Sequence, residues 1–223
     1  MTSNRLRTAL AIVFLITCSD QAGKGDDRTP VAGLNLIHRI LQSANVPGSL
    51  AYSGCGFDKR VPPDLPPFGV LDESGTPEEI FKKLFSADPA MQVRREGSMI
   101  RMKEANVADD LLNVRVHHIS FFSADASNSD SVHGPRMALL AILESPEVIA
   151  FGREENLKGL PYPDVGIMMP GDCCGGGRIM QGELENVTVS QALDYVLQTF
   201  PSFWIYESCV TKEGARSVYI NFH

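Results

Sequence analysis

Read for the spacing of its apolar and polar positions, the chain repeats itself. Ile80, Phe81, Leu84 and Phe85 make one apolar helical face, and Ala192, Leu193, Val196 and Leu197 make another with the same i, i+1, i+4, i+5 spacing. Each face follows the same start signal. Thr76 can accept the N3 amide while Glu79 reaches back to the Thr76 amide, and Thr188 with Gln191 rewrites that capping box. Pro77 suits the first helical position of the first copy. The two threonines differ by 188 − 76 = 112 positions, and so do Pro89 and Pro201 beyond the helices. After each helix the period changes from 3.6 to 2. Met91, Val93 and Met99 to Met102 surround Glu96-Gly97-Ser98, and Phe203, Ile205, Val218 and Ile220 surround Lys212-Glu213-Gly214, so each reads as a hairpin.

Upstream, Leu34, Ile37, Ile40 and Leu41 predict a helix stopped by Asn45-Val46-Pro47-Gly48, and Ser49 to Ser53 a strand. Val61 to Pro67 holds too many prolines for helix or central strand and predicts a loop leading to a strand at Phe68 to Asp72. Ile149-Ala150-Phe151 reads as the second copy's counterpart of the strand at Leu50-Ala51-Tyr52, an offset of 149 − 50 = 99. The difference, 112 − 99 = 13, predicts an insertion in the second copy's loop, which contains Gly171-Asp172-Cys173-Cys174-Gly175-Gly176-Gly177. Leu112 to Phe121 alternates as a strand before a polar linker, Ser123 to His133. The fold class expected is therefore α+β: two tandem copies of a small module, over 34–105 and 111–223, each a short β-sheet packed on one side by about two helices.

The half-repeat resembles the short N-terminal module of secretins and TonB-dependent receptors, the secretin and TonB N-terminus domain. The residues that carry the resemblance are Glu185-Asn186-Val187-Thr188-Val189-Ser190-Gln191-Ala192-Leu193-Asp194-Tyr195-Val196-Leu197; the first copy keeps the cap and helix face with Ile80-Phe81 in place of Ala-Leu. It covers about Leu34 to Lys103 and Met137 to Phe222. The resemblance implies a protein-interaction or scaffolding module of the bacterial envelope, with another envelope protein as partner, no catalytic residues and no cofactor.

The first eighteen residues belong to a different pattern. Arg5 and Arg7 precede an uncharged apolar run, Ala9 to Ile16, too short to span a bilayer, which predicts an export signal within 1–22. Leu15-Ile16-Thr17-Cys18 resembles a lipoprotein signal. Cys18 then becomes a lipidated N-terminus and the only membrane attachment, on a periplasmic or outer-membrane-anchored protein; the alternative is plain cleavage near Ala22. The net charge of −7 becomes −9 without Arg5 and Arg7, and no Lys/Arg cluster is present, which argues against nucleic acid as a partner.

Cys55, Cys173, Cys174 and Cys209 then remain, an even number suited to disulfides in an oxidising compartment. A link from the Cys173-Cys174 loop to Cys209 is the first expectation, with Cys55 pairing the remaining thiol and joining the modules. The alternative is a thiol or metal site in which Cys173 and Cys174 are joined by His117, His118 or His133. Adjacent cysteines, and adjacent histidines in a strand, point apart and disfavour it. Asp109-Asp110 reads as solvated turn charge. Alternation puts Trp204 and Tyr206 opposite Phe203 and Ile205, with Tyr219 on the facing strand. These aromatics form the expected partner-binding surface.

Overall fold

The structure, a computed structural model, describes residues 30–54, 74–121, 134–158, 180–211 and 214–223, without the side chains of residues 30–32. Its centre is a five-stranded mixed sheet. The strands are β1 (Gly48–Ser53), β2 (Met91–Glu96), β3 (Met99–Glu104), β6 (Phe203–Val210) and β7 (Arg216–Phe222), in the order β2-β3-β1-β6-β7. β1 runs parallel to both neighbours: Leu50 lies opposite Met102 on one side and Ile205 on the other. β2 and β7 are antiparallel returns of hairpins, whose turns place Gly97 and Gly214 at φ of 60° and 78°, a region that costs glycine nothing. A second, two-stranded ribbon pairs β4 (Arg115–Ser120) with β5 (Glu183–Thr188).

The helices divide between the two faces of the large sheet. α1 (Pro30–Ser43) and α2 (Pro77–Leu84) cover one face, burying Leu34, Ile37, Leu41, Phe81 and Leu84 against Leu50, Met102, Phe203 and Ile205. α3 (Pro135–Leu143), α4 (Pro146–Glu154) and α5 (Val189–Thr199) cover the other with the ribbon and a 3-10 turn at Asp110–Asn113. Leu139, Ile142, Leu193 and Val196 there meet Trp204, Tyr206, Val218 and Ile220. The protein is thus α+β with a mixed sheet, and strands from both expected segments, 34–105 and 111–223, enter that one sheet. The expectation of a sheet covered on one side only is corrected. β1 is buried from Gly48 to Tyr52, which requires apolar neighbours above and below it.

Both capping boxes form. The Thr76 hydroxyl accepts from the Glu79 amide and the Glu79 carboxylate accepts from the Thr76 amide; Thr188 and Gln191 do the same. Hydrogen bonds donated to the Glu79 carboxylate by the Thr76 amide and hydroxyl, with burial opposing and Lys83 and Lys82 assisting, lower the Glu79 pKa. Thr188→Ala is expected to cost about 1 kcal/mol, the usual value of an N-cap, in urea unfolding. Thr76→Ala is expected to change stability with the same sign.

Two helix ends close alike. At α1, Asn45 adopts φ 51°, its amide donates to Gln42 O, and the Val46 amide donates to Leu41 O. At α4, Asn156 adopts φ 48°, its amide donates to Arg153 O, and the Leu157 amide donates to Gly152 O. Both are Schellman caps with asparagine as the left-handed residue. Ile149-Ala150-Phe151, expected as a strand, lies inside α4. Three apolar residues carry no period of their own, and Ser145-Pro146-Glu147 just before them is a helix start. The strand expected at Phe68 to Asp72 lies outside the described residues.

Candidate functional site

The expected aromatic surface is internal. Trp204 is 3 % exposed and Tyr206 is fully buried, while Tyr219 is half-buried and its hydroxyl accepts from Asn221 Nδ2. Alternation along β6 does separate Phe203 and Ile205 from Trp204 and Tyr206, yet helices cover both faces. The tyrosine and tryptophan polar atoms serve as ties. Tyr206 Oη donates to Ala108 O at 2.7 Å, and burial pushes its pKa up to about 12. Trp204 Nε1 donates to Asp194 Oδ1 at 2.9 Å.

Asp194 is the centre of a clamp between α5 and the β2-β3 hairpin. Arg101 Nη1 donates to its Oδ1 at 2.8 Å and Nη2 to its Oδ2 at 2.5 Å, a bidentate pair. The same guanidinium donates to Ser49 Oγ and Glu96, and lies 5.7 Å from the centre of the Trp204 ring. Burial works against the charged guanidinium, and the carboxylates of Asp194 and Glu96 outweigh it, raising the Arg101 pKa. A second tie joins Arg216 of β7 to Asp110, whose carboxyl is held below its ordinary range by those hydrogen bonds. Lys103 pairs Asp109 at 2.5 Å. Asp109 and Asp110, expected as solvated turn charges, are therefore ion-paired.

His117 and His118 are both exposed on β4. His117 Nδ1 lies 2.7 Å from Glu147 Oε1 at the start of α4, and the same oxygen accepts the His117 amide. The histidine contact lowers the Glu147 pKa. Among the described residues no group of three or more His, Cys, Asp or Glu is placed to hold a metal ion. Cys18, Cys55, His133 and the Cys173-Cys174 loop lie outside the described residues. Cys209 is the one described cysteine, half-buried on β6. No helix among the described residues is long and apolar enough to cross a membrane.

Among the described residues, a cleft of about 430 Å³ lies at the end of the sheet where β1 and β6 begin. Leu41, Gln42, Asn45 and Val46, from the C-terminal end of α1, form one wall. Phe200, Pro201 and Ser202, from the turn between α5 and β6, form the other, with Pro135 and His38 completing the lining. The Gly48 amide donates to Ser202 O and ties the two walls at their base. His38 is held in place: its Nδ1 is 3.2 Å from the His223 backbone oxygen, and its ring meets that of His223 edge-on with centroids 5.8 Å apart. A carbonyl accepts only, so Nδ1 carries the proton in this contact. His223 Nε2 in turn lies 3.2 Å from Asn35 Oδ1.

Burial and the neighbouring His38 depress the His223 pKa. The folded protein then binds fewer protons than the unfolded chain near the ordinary histidine value of about 6.5, so this contribution to stability is present above that pH and is lost as pH falls through it. The thermal midpoint is expected to drop on acidification from about pH 7.5 to 5.5 more steeply in the parent than in His223→Gln.

Sequence reasoning missed both the clamp and the cleft. A signal for the clamp was present, since Arg101 interrupts the apolar run Met99-Ile100 and Met102, and Asp194 interrupts the helix face between Leu193 and Val196. The cleft had none, because its walls are 160 positions apart (Ser202 − Gln42) and each polar residue in it is ordinary alone. Comparison with known proteins finds no family model, no curated protein and no solved structure that matches the chain.

Proposed function

We propose that the chain is a non-enzymatic scaffolding protein of the bacterial envelope, built from two copies of one small interaction module and exported with a lipid anchor on Cys18. What supports this reading is a similar order of elements in the two halves of the chain. An asparagine-capped helix leads to a parallel strand position, then a threonine capping box, a helix and a hairpin. In the first unit β1 pairs in parallel with the last hairpin strand, β3; in the second, Lys158 makes a parallel bridge to Ser217 on β7, the last hairpin strand there. The helix caps lie 156 − 45 = 111 positions apart and the capping boxes 112. From cap to box is 76 − 45 = 31 positions in one unit and 188 − 156 = 32 in the other. On this alignment α4, not a strand, answers α1, and the 13-residue insertion is unnecessary.

A repeated module with no shared active-site pattern supports association more than chemistry. The reading is tested on protein taken from its native host. Recovery in the envelope fraction, a diacylglycerol-sized mass on Cys18 and oxidised cysteines are the expected results. A cytosolic protein with an unmodified N-terminus and reduced thiols would remove it.

A further inference from the structure

We propose that β2, at one edge of the large sheet, takes an extended acidic segment of the partner as an added strand. The proposal rests on the interaction reading above and names the chemistry of its contact. β2 is outermost in the order β2-β3-β1-β6-β7, and among the described residues β3 is the only strand that pairs with it. Along an antiparallel ladder, hydrogen-bonded and non-hydrogen-bonded pairs alternate. The Ala105 amide donates to Ala90 O at 2.8 Å, one step before Met91 and Glu104 in the register, so Ala90 and Ala105 form a bonded pair. The bonded pairs that follow are Gln92 with Lys103, Arg94 with Arg101 and Glu96 with Met99. The backbone groups of Met91, Val93 and Arg95 therefore point away from the sheet. Asp88 O takes the Met91 amide, which leaves the Val93 and Arg95 amides as donors among the described residues, with the Met91, Val93 and Arg95 carbonyls as acceptors beside them.

Main-chain pairing gives affinity for any extended strand, and side chains select among strands. Arg94 and Arg95 are both exposed and, being successive, project to opposite faces. Glu96, the one carboxylate on β2, is shared between Arg94 at 2.8 Å and Arg101 at 3.0 Å. Among the described residues Arg95 makes no ion pair; its Nε donates to the Gly97 carbonyl at 3.2 Å. The strand thus carries net positive charge in a chain whose net charge is −7. That local charge is felt within a Debye length of about 8 Å at physiological salt, the range of a segment paired at the edge. Charge on an edge strand discourages indiscriminate pairing. Here its sign repels a basic segment and favours carboxylates on either face. A second copy of the chain is disfavoured on the same ground, since two β2 strands side by side put four arginines on one seam.

The test uses the full chain and two blocked heptapeptides, acetyl-Thr-Glu-Val-Glu-Glu-Val-Thr-amide and the same sequence with lysine at each glutamate, with backbone amide exchange followed by NMR. The glutamate peptide is expected to slow exchange of the Val93 and Arg95 amides saturably and to leave Gln92 and Arg94, already bonded to β3, nearly unchanged. Arg95 is exposed, so Arg95→Glu leaves the packing intact, which Trp204 fluorescence verifies. That variant should weaken the glutamate peptide by about two- to fivefold, the range of a solvent-exposed charge pair, and strengthen the lysine peptide by about as much. A lysine peptide that binds the parent as well or better, Val93 and Arg95 amides unprotected by either peptide, or an Arg95→Glu variant without opposite effects on the two would each overturn the proposal. Protection of Val93 that rises with protein concentration alone would overturn it in favour of a second copy. These outcomes are separable from the envelope reading, because the peptides need no partner and the native-host experiment does not involve β2.

Discussion

Asp194→Ala is expected to destabilise the protein by about 2–4 kcal/mol, between the value of a surface pair and the cost of breaking a fully buried one, because the two side chains keep 18 % and 20 % of their exposure. The carboxylate satisfies three donors at once, both Arg101 terminal nitrogens and Trp204 Nε1. Its removal leaves a guanidinium only 18 % exposed without its bidentate partner, and a buried indole without an acceptor. Arg101→Ala removes the charge that creates this penalty. The double variant should therefore be less damaged than the sum of the singles, and the cycle isolates the pair. Urea unfolding followed by fluorescence is a direct readout, because Trp204 is the chain's single tryptophan and lies in the clamp. A loss below about 1 kcal/mol, as for a surface pair, would show that solvent reaches the clamp.

Phe81→Ala should cost a similar amount, about 3–5 kcal/mol for emptying a fully buried phenylalanine site. Phe81 sits on α2 in the first half of the chain, in the core that also contains Phe203 and Ile205 of β6. The loss should therefore appear at Trp204, in the second half, with the same midpoint shift seen by circular dichroism. A Trp204 transition left at the parent midpoint would mean that the first half unfolds alone.

The elements most legible in the sequence are those whose determinants are local. The capping boxes at Thr76 and Thr188, the glycine turns at Gly97 and Gly214, and the asparagine stop of α1 each lie within a few residues of the structure they specify. Phe203-Trp204-Ile205-Tyr206 shows where the reading fell short. Alternation alone predicts Trp204 and Tyr206 facing outward, yet four apolar residues in succession are the mark of a strand covered on both faces. Leu50-Ala51-Tyr52 carries the same mark in β1. The two runs pair with each other in parallel, a contact between residues 155 positions apart (Ile205 − Leu50) that no local pattern encodes. The cleft depends on that same pairing, since its walls are brought together where β1 and β6 begin.

Native-state hydrogen exchange on the full chain tests most directly whether β1 and β6 join the two halves into one sheet. The amides of Leu50 in β1, Met102 in β3, Ile205 in β6 and Ile220 in β7 are expected to exchange only through global unfolding, with one shared free energy and one shared dependence on denaturant. Exchange of Leu50 and Met102 at a distinctly lower free energy than Ile205 and Ile220 would contradict the account, because two halves that open separately are not joined through β1 and β6.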